Sequence, residues 1–530
     1  MTAENKILSF ARLLLFGGEG HSATRRGVAA FLGRAKLLAA MLVFAIVVSL
    51  AIAAATSEDL ADPGCGDSLQ SLIDGAVRGA VVDVPSCVYR EEVTIDQPIT
   101  LQAEPGAEIR GSDVWTRWKR NGAYWVKGPL PTFDVHGRCS EGTDRCLWPE
   151  QVFLDGDALD QVASDPVSGQ FAVDDDRDIV LADDPAGHTV EVTTRTGWIS
   201  GRSDNVTIQG FAMRHAANDS QDGAIENNGY SHWMIAGNTL SYAHGAIVSL
   251  SQGSDLTLQD NDIHHGGQLG VHASGGELVI RDNEIHDNNT EGFESGWEAG
   301  GIKTSGVQRL VADRNEVHHN NGIGLWCDGG CRNVTYRDNR VHHNRKMGIN
   351  FETGSTAEIF DNVVWENGWS KPGWGWGAGI LSSSSRNVEI FDNVVACNAD
   401  GISVISADRD GTKYDEVVNV RVHHNTIRAE DNPEDEEHNY ALAWLQDWEG
   451  SLFEPSSGNR GSHNRYWYST PESSLVRFSW YQKGRSELDN FNTTPGEEGG
   501  RYLSEAEKDR MVLSAGIPSS CEHRRTGGGS

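Results

Sequence analysis

Val334-Thr335-Tyr336-Arg337-Asp338-Asn339-Arg340-Val341-His342-His343-Asn344-Arg345-Lys346-Met347-Gly348-Ile349 holds the pattern that decides the fold. Apolar residues alternate at Val334 and Tyr336, an Asp-Asn pair breaks the run, Val341-His342 restarts it, and a short turn ends in Gly-Ile. Working outward, the aligned Asn recurs at 238, 261, 283, 315, 339, 362, 393 and 425. Four of the intervals are 22 to 24 residues and three are 31 or 32, so a common period carries three longer loops. A period of this length marks a solenoid. One coil of short alternating strands cannot bury its apolar side alone, and stacked coils can. Stacking would bury Val206/Ile208, Leu256/Leu258, Leu278/Ile280, Val334/Tyr336 and Val388/Ile390 in successive layers. The repeated Asn falls at the bend, where its amide can satisfy turn backbone groups coil after coil. The expected fold is therefore all-β, a right-handed parallel β-helix solenoid.

Composition agrees. Sixty glycines, with frequent Asn and Asp, suit many turns. The formal charge is −32, and residues 1–56 hold six basic and two acidic residues, so the remainder carries −36. Such a surface repels nucleic acid and anionic headgroups, and disfavours a polyanionic substrate unless basic residues line its groove.

The domain reading follows the breaks in the period. Residues 1–36 form a basic leader, placed in the cytoplasm by Arg25, Arg26, Arg34 and Lys36. Leu37 to Thr56 is uncharged and long enough to span a bilayer. It reads as an anchor at the cell membrane with the rest outside, or as a signal segment cleaved near Ala55 to release a secreted protein. Residues 62–111 read as a cap and first coil, with the Ser68 to Ile73 stretch as a capping helix. Residues 112–200, with Trp115, Trp118 and Trp125, read as a small inserted antiparallel β domain. The main stack is expected over 201–430. Residues 431–530 would give a C-terminal coil, a cap with a short helix from Ser504 to Ser514, and a disordered end.

The eight cysteines all follow the apolar segment, as in an exported chain with disulfides. Cys65–Cys87 and Cys139–Cys146 are plausible pairs, and Cys327 points inward. The histidines at 264, 286, 318 and 342, with doublets at 265, 319 and 343, occupy one repeat position. They are read as a stack outside the bend, because a metal set would converge from different positions. No metal and no cofactor are expected.

The strand after each Gly can be aligned on Ile225, Ile247, Val271, Ile302, Leu325, Ile349, Ile380 and Ile402. The next, outward position then reads Glu226, Val248, His272, Lys303, Trp326, Asn350, Leu381 and Ser403. Two residues on, the outward row reads Asn228, Leu250, Ser274, Ser305, Asp328, Glu352, Ser383 and Ile405. Asp328 and Glu352 thus share a column on consecutive coils, about 4.7–4.9 Å apart as strands. Retaining glycosidases separate their two carboxyl groups by about 5–5.5 Å. Like charges at that spacing should push one pKa up, giving one acid and one nucleophile. Lys303, Trp326 and Asn350 flank the pair and are expected to touch substrate. Two long intervals would wall the groove. One brings Glu291, Glu294, Trp297 and Glu298, with Glu298 an alternative acid or base. The other brings Trp369, Trp374 and Trp376.

Gly301-Ile302-Lys303, Gly324-Leu325-Trp326-Cys327-Asp328 and Gly348-Ile349-Asn350-Phe351-Glu352 resemble right-handed β-helix repeat proteins of the pectate-lyase-like superfamily. The arrangement is most similar to β-helix glycoside hydrolases interrupted by a β-sandwich, including a β-xylosidase family. That resemblance implies a retaining hydrolase with Asp328 as nucleophile and Glu352 as acid/base. The Asn-Thr-Asp, Gly-His-Gly and Arg-Ile-Lys set of polygalacturonases is absent, as are the clustered calcium carboxylates of common pectate lyases. The expected function is an extracellular glycoside hydrolase acting on a polysaccharide or oligosaccharide. A polysaccharide lyase or uronate epimerase, with Lys303 or His272 as base, is the first alternative. A non-catalytic carbohydrate-binding scaffold is the second.

Overall fold

The computed structural model describes residues 65–521, apart from 371–372, 409–415, 430–437, 448–449, 470–475, 481–482 and 486. The chain divides into Met1–Asp62 and Pro63–Ser530, and the described residues belong to the second unit. The basic leader, the apolar Leu37 to Thr56 segment and the tail beyond Cys521 lie outside the described residues. Among the described residues no helix is long and apolar enough to cross a membrane.

Each coil contributes one strand to each of three parallel sheets. Among the described residues the first sheet runs from Val81–Val84 to Arg460–Ser462 in 12 strands. The second, of 13 strands, runs from Val88–Tyr89 to Arg501–Tyr502. The third, also of 13, runs from Val93–Ile95 to Lys483–Arg485, an edge strand that folds back antiparallel on Val476–Trp480. Alternation does what the sequence requires: in Leu256–Gln259 the two leucines are buried while Thr257 and Gln259 are partly exposed. Stacked layers such as Leu258, Ile280, Ala312, Tyr336 and Ile359 fill one continuous core.

Asparagine amides tie the coils at the first bend. Asn339 Nδ2 donates to Asn362 Oδ1 at 2.9 Å and to Ala312 O at 2.8 Å, and its Oδ1 accepts from Asn315 N at 3.1 Å. The same linkage runs from Asn238 through every repeated Asn to Asn425, and on to Asn464. A second ladder, unnoticed in the sequence, joins Asn288, Asn320, Asn344, Asn367 and Asn398 at the next bend. Gly270, Gly301, Gly324, Gly348, Gly379 and Gly401, each just before the inward residue of a third-sheet strand, have a steric reason. A Cβ on Gly324 would lie 2.6 Å from Gly348 O and 2.9 Å from Asn344 Nδ2.

The helix Leu69–Gly75 closes the first coil, capped by the Ser68 side chain, with Leu69 and Ile73 buried. The excursion between Glu108–Arg110 and Ile199–Gly201 leaves the stack unbroken. Val93–Ile95 pairs directly with Ile199–Gly201, and Thr100–Ala103 with Val206–Gln209. The excursion forms a four-stranded and a five-stranded sheet, almost entirely antiparallel, around Val152, Phe171, Ile179, Leu181 and Val190. Beyond Ile427 the repeat weakens in sequence but the coils continue, with Tyr466, Tyr468, Phe478 and Trp480 buried. Long loops dilute the period there, and aromatics replace the aliphatic alternation.

Four disulfides are present: Cys65–Cys87, Cys139–Cys146, Cys327–Cys331 and Cys397–Cys521. The last ties the chain after the helix Glu505–Ala515 to the second-sheet side of the stack, where Met511, Ala515 and Ile517 pack with Trp365 and Cys397.

Candidate active site

The third sheet carries the outward row, and its register shifts one coil of that row by one residue. Ile225 pairs with Val248, which pairs with Val271. Val248 and Leu250 therefore point inward, and Ser249 and Ser251 replace them in the outward rows. The sequence signal failed because three apolar residues follow Gly245 and any of them could follow the motif glycine. From His272 onward the alignment is as expected: His272, Lys303, Trp326, Asn350 and Leu381 are consecutive partners. Ser305 pairs with Asp328, and Glu352 pairs with Ser383, so Asp328 and Glu352 occupy one column.

The side chains around this column form a connected network. Lys303 Nζ donates to Asp328 Oδ2 at 3.0 Å. It also sits 3.0 Å from the Trp326 ring centre. Thr353 Oγ1 and Gly329 N donate to Asp328 Oδ1 at 2.6 and 2.5 Å. Trp326 Nε1 and Asn350 Nδ2 donate to Glu352 Oε2 at 3.0 and 3.2 Å. The Lys303 side chain is 1% exposed and that of Asp328 31%.

The electrostatics differ from the expected like-charge effect. Burial acts to raise the Asp328 pKa, but the Lys303 charge, the Thr353 hydroxyl and the Gly329 N–H outweigh it and hold the carboxyl below the usual aspartate range. Burial pushes the Lys303 ammonium below the usual lysine range, against the pull of Asp328, Glu298 and Glu352. An ionised Asp328 is the outcome. The sequence could not show this, because it placed Lys303 toward substrate rather than beneath Asp328.

Beside Glu352 lies a cavity of 380 Å³, lined by Trp326, Asn350, Glu352, Lys346, Met347 and Trp376 among others. Gly296, Ile323, Gly368, Ser370 and Gly373 complete its lining. Lys346 and Met347 went unremarked in the sequence; their place in the turn before Gly348 is the signal that points at the groove. Asn350 Oδ1 is buried without a hydrogen-bond partner, an acceptor beside the cavity. Beyond Glu352 the outer face turns apolar. Leu381, Ile405, Tyr440 and Leu445 pack together under Trp374 and Trp376, whose rings are 6.2 Å apart.

Other expected residues lie elsewhere. Trp297 packs with Phe293, Cys139 and Ala299, against the disulfide loop of the inserted domain, and does not line the cavity. Glu291 is buried and paired with Arg145 of that domain. These two side chains hold the Asn289 to Ala299 loop down, leaving Gly296 at the cavity. Glu298 lies 3.8 Å from His272 and accepts from Gln221 Nε2 at 2.8 Å, one coil or more before Asp328. Burial lowers the His272 pKa, opposed by Glu298 and assisted by Lys303. Trp369 turns to the other side, donating to Cys397 O at 3.1 Å.

Residues 223–395 match the family model described as right handed beta helix region. This chain is a right-handed parallel β-helix protein. Among solved structures, a complex of XylC with xylose aligns with this β-helix over 78% of the chain and 82% of its own, at 16% identity and a TM-score of 0.57. The A-module of the Azotobacter vinelandii mannuronan C-5 epimerase AlgE4 aligns over 83% and 98%, at 14% identity and a TM-score of 0.50. Both likenesses are of fold. Comparison with curated proteins gives no sequence match to this β-helix.

Proposed function

We propose that this β-helix is a carbohydrate-active enzyme, a retaining glycoside hydrolase in which Asp328 is the nucleophile and Glu352 the general acid and base. The observation that carries the reading is the single column holding both carboxylates on consecutive coils. Strand spacing of about 4.7–4.9 Å fits the short separation of a retaining pair. Lys303 keeps Asp328 ionised, as a nucleophile must be. Glu352 borders the cavity, where it can reach a glycosidic oxygen, and Trp376 and Trp326 offer apolar surface for a sugar ring. XylC, whose fold aligns with this one, is solved in complex with xylose, which supports a sugar as the substrate here.

In the reaction Glu352 gives its proton to the leaving oxygen while Asp328 bonds to the anomeric carbon. Glu352 then takes a proton from the water that releases the sugar from Asp328, and both groups return to their starting forms.

A lyase or epimerase would need a free base. Lys303 has its ammonium against Asp328 and over Trp326, with the side chain 1% exposed, which argues against that role. The His272–Glu298 pair is the remaining base for such a reaction. The enzyme is placed outside the membrane, anchored through Leu37 to Thr56 or released near Ala55; four disulfides support an oxidising compartment. Its partner is a polysaccharide or oligosaccharide, and the charge of −32 argues against nucleic acid.

The test is a screen on chromogenic glycosides and polysaccharides beside Asp328→Ala and Glu352→Ala. Sugar release lost by several orders of magnitude in both variants supports the hydrolase. Unsaturated, ultraviolet-absorbing products would make it a lyase, and activity untouched in both variants would remove the carboxylate pair.

A further inference from the structure

Asp328 stands at the edge of a turn that is longer than the turns beside it. The third-sheet strand Ile323–Asp328 ends on it, and the first-sheet strand Arg332–Arg337 follows. Between positions in register, Asp328 to Val334 spans six residues, where Ser305 to Leu310 and Glu352 to Ala357 span five. The extra length falls in Gly329-Gly330, both left-handed, with φ of +66° and +89°. Two adjacent glycines leave a turn slack, and a carboxylate beside them would swing with it.

Two features take up the slack. Cys327, the inward residue before Asp328, is bonded to Cys331, and both are buried in the core beneath the turn. The disulfide joins the ends of a loop whose middle holds Asp328, Gly329 and Gly330. A bridge over a sequence separation of 4 removes little entropy from the unfolded chain, whereas Cys397–Cys521 spans 124. Its effect is therefore local, and Asp328 lies inside it.

Thr353 on the next coil is the second feature. In the three preceding coils the same place is glycine, namely Gly275, Gly306 and Gly329, each at positive φ. Thr353 keeps that conformation, with φ of +48°. A β-branched residue adopts it only at a cost. In that conformation its Oγ1 donates to Asp328 Oδ1 at 2.6 Å and accepts from Gly329 N at 3.0 Å. Thr353 N donates to Ser383 O at 2.9 Å, so the coil beyond holds it in turn. One hydroxyl pins the carboxylate and the slack glycine together.

We propose that the Cys327–Cys331 disulfide and Thr353 are positioning groups that fix the Asp328 carboxylate for attack on the sugar. The disulfide sets its backbone, and Thr353 with Lys303 sets the plane of its two oxygens. This rests on Asp328 being the nucleophile.

The test replaces the disulfide with residues the stack already uses. Ala273 holds the place of Cys327 two coils earlier, and Val307 that of Cys331 one coil earlier, both buried. In the full chain, Cys327→Ala/Cys331→Val should keep the circular dichroism of the fold and lose about 100-fold in kcat. Its KM should stay within about threefold of the unaltered value. Its acid limb of kcat/KM should move to higher pH, because the hydroxyl that holds the Asp328 pKa down is no longer aligned. Thr353→Val keeps the β-branch and removes the hydroxyl, and should give the same signature. Thr353→Ser, which restores the hydroxyl, should keep kcat within about threefold. An unmoved kcat and acid limb in either the disulfide variant or Thr353→Val, or equal losses in Thr353→Ser and Thr353→Val, would overturn the proposal. Asp328→Ala measured beside them separates the two claims. Activity kept in Asp328→Ala removes the nucleophile and the positioning role together. Activity lost there but kept in the other variants removes the positioning role alone.

Discussion

Lys303 Nζ lies 3.0 Å from Asp328 Oδ2, which makes the lysine a support beneath the carboxylate. The same ammonium rests on the face of Trp326, whose indole N–H reaches Glu352. One buried cation thus links the two carboxylates through a single aromatic ring.

Replacing that cation changes the acid limb of activity. In Lys303→Met the burial of Asp328 remains and its ion pair is gone, so its pKa rises and the acid limb of kcat/KM moves to higher pH. The stability sign follows. The depressed Asp328 pKa stabilises the unaltered protein above the unfolded aspartate value of about 3.9, and that contribution is lost as pH falls through the lower folded value. The variant lacks it and is destabilised near neutral pH by about 1–3 kcal/mol, measured by denaturant titration across pH. An unmoved acid limb would contradict the role given to Lys303.

Trp376 borders the cavity that Glu352 also lines. Trp376→Ala is expected to raise KM about tenfold, roughly 1.4 kcal/mol of lost contact, with kcat changed little. Steady-state kinetics on the best glycoside found in the screen would show it. A fall in kcat with KM unchanged would place Trp376 in the chemical step.

Asn339 is fully buried and bonded to the coils before and after it. Asn339→Ala removes the acceptor for Asn315 N and strands Ala312 O, at a cost of about 2–4 kcal/mol in chemical denaturation. A partly exposed position of the same coil, Thr335→Ala, should change stability by less than about 0.5 kcal/mol.

The parts of the fold that repeat were legible in sequence, because stacking forces equivalent residues into equivalent environments. The Asn ladder, the alternating core pairs and the Asp328–Glu352 column all follow from spacing alone. What one coil does differently was hidden. Val248 and Leu250 turn inward because the apolar run after Gly245 does not mark its own register. Trp297 looked like a sugar platform, yet the inserted domain covers it, and a contact between distant segments leaves no local pattern. The same holds for Lys303, whose partner one coil on is visible only after folding. Neither did the repeat reveal that a left-handed residue after each strand turns His319 and His343 across their neighbours.

The most direct test of the central claim is to trap the nucleophile. The protein would be incubated with an activated 2-deoxy-2-fluoro glycoside of the sugar it releases, digested, and mapped by mass spectrometry. The account predicts one glycosyl adduct per chain on Asp328, absent in Asp328→Ala. An adduct on Glu352 or Glu298, or turnover of natural substrate with no trapped adduct and inverted product, would contradict it.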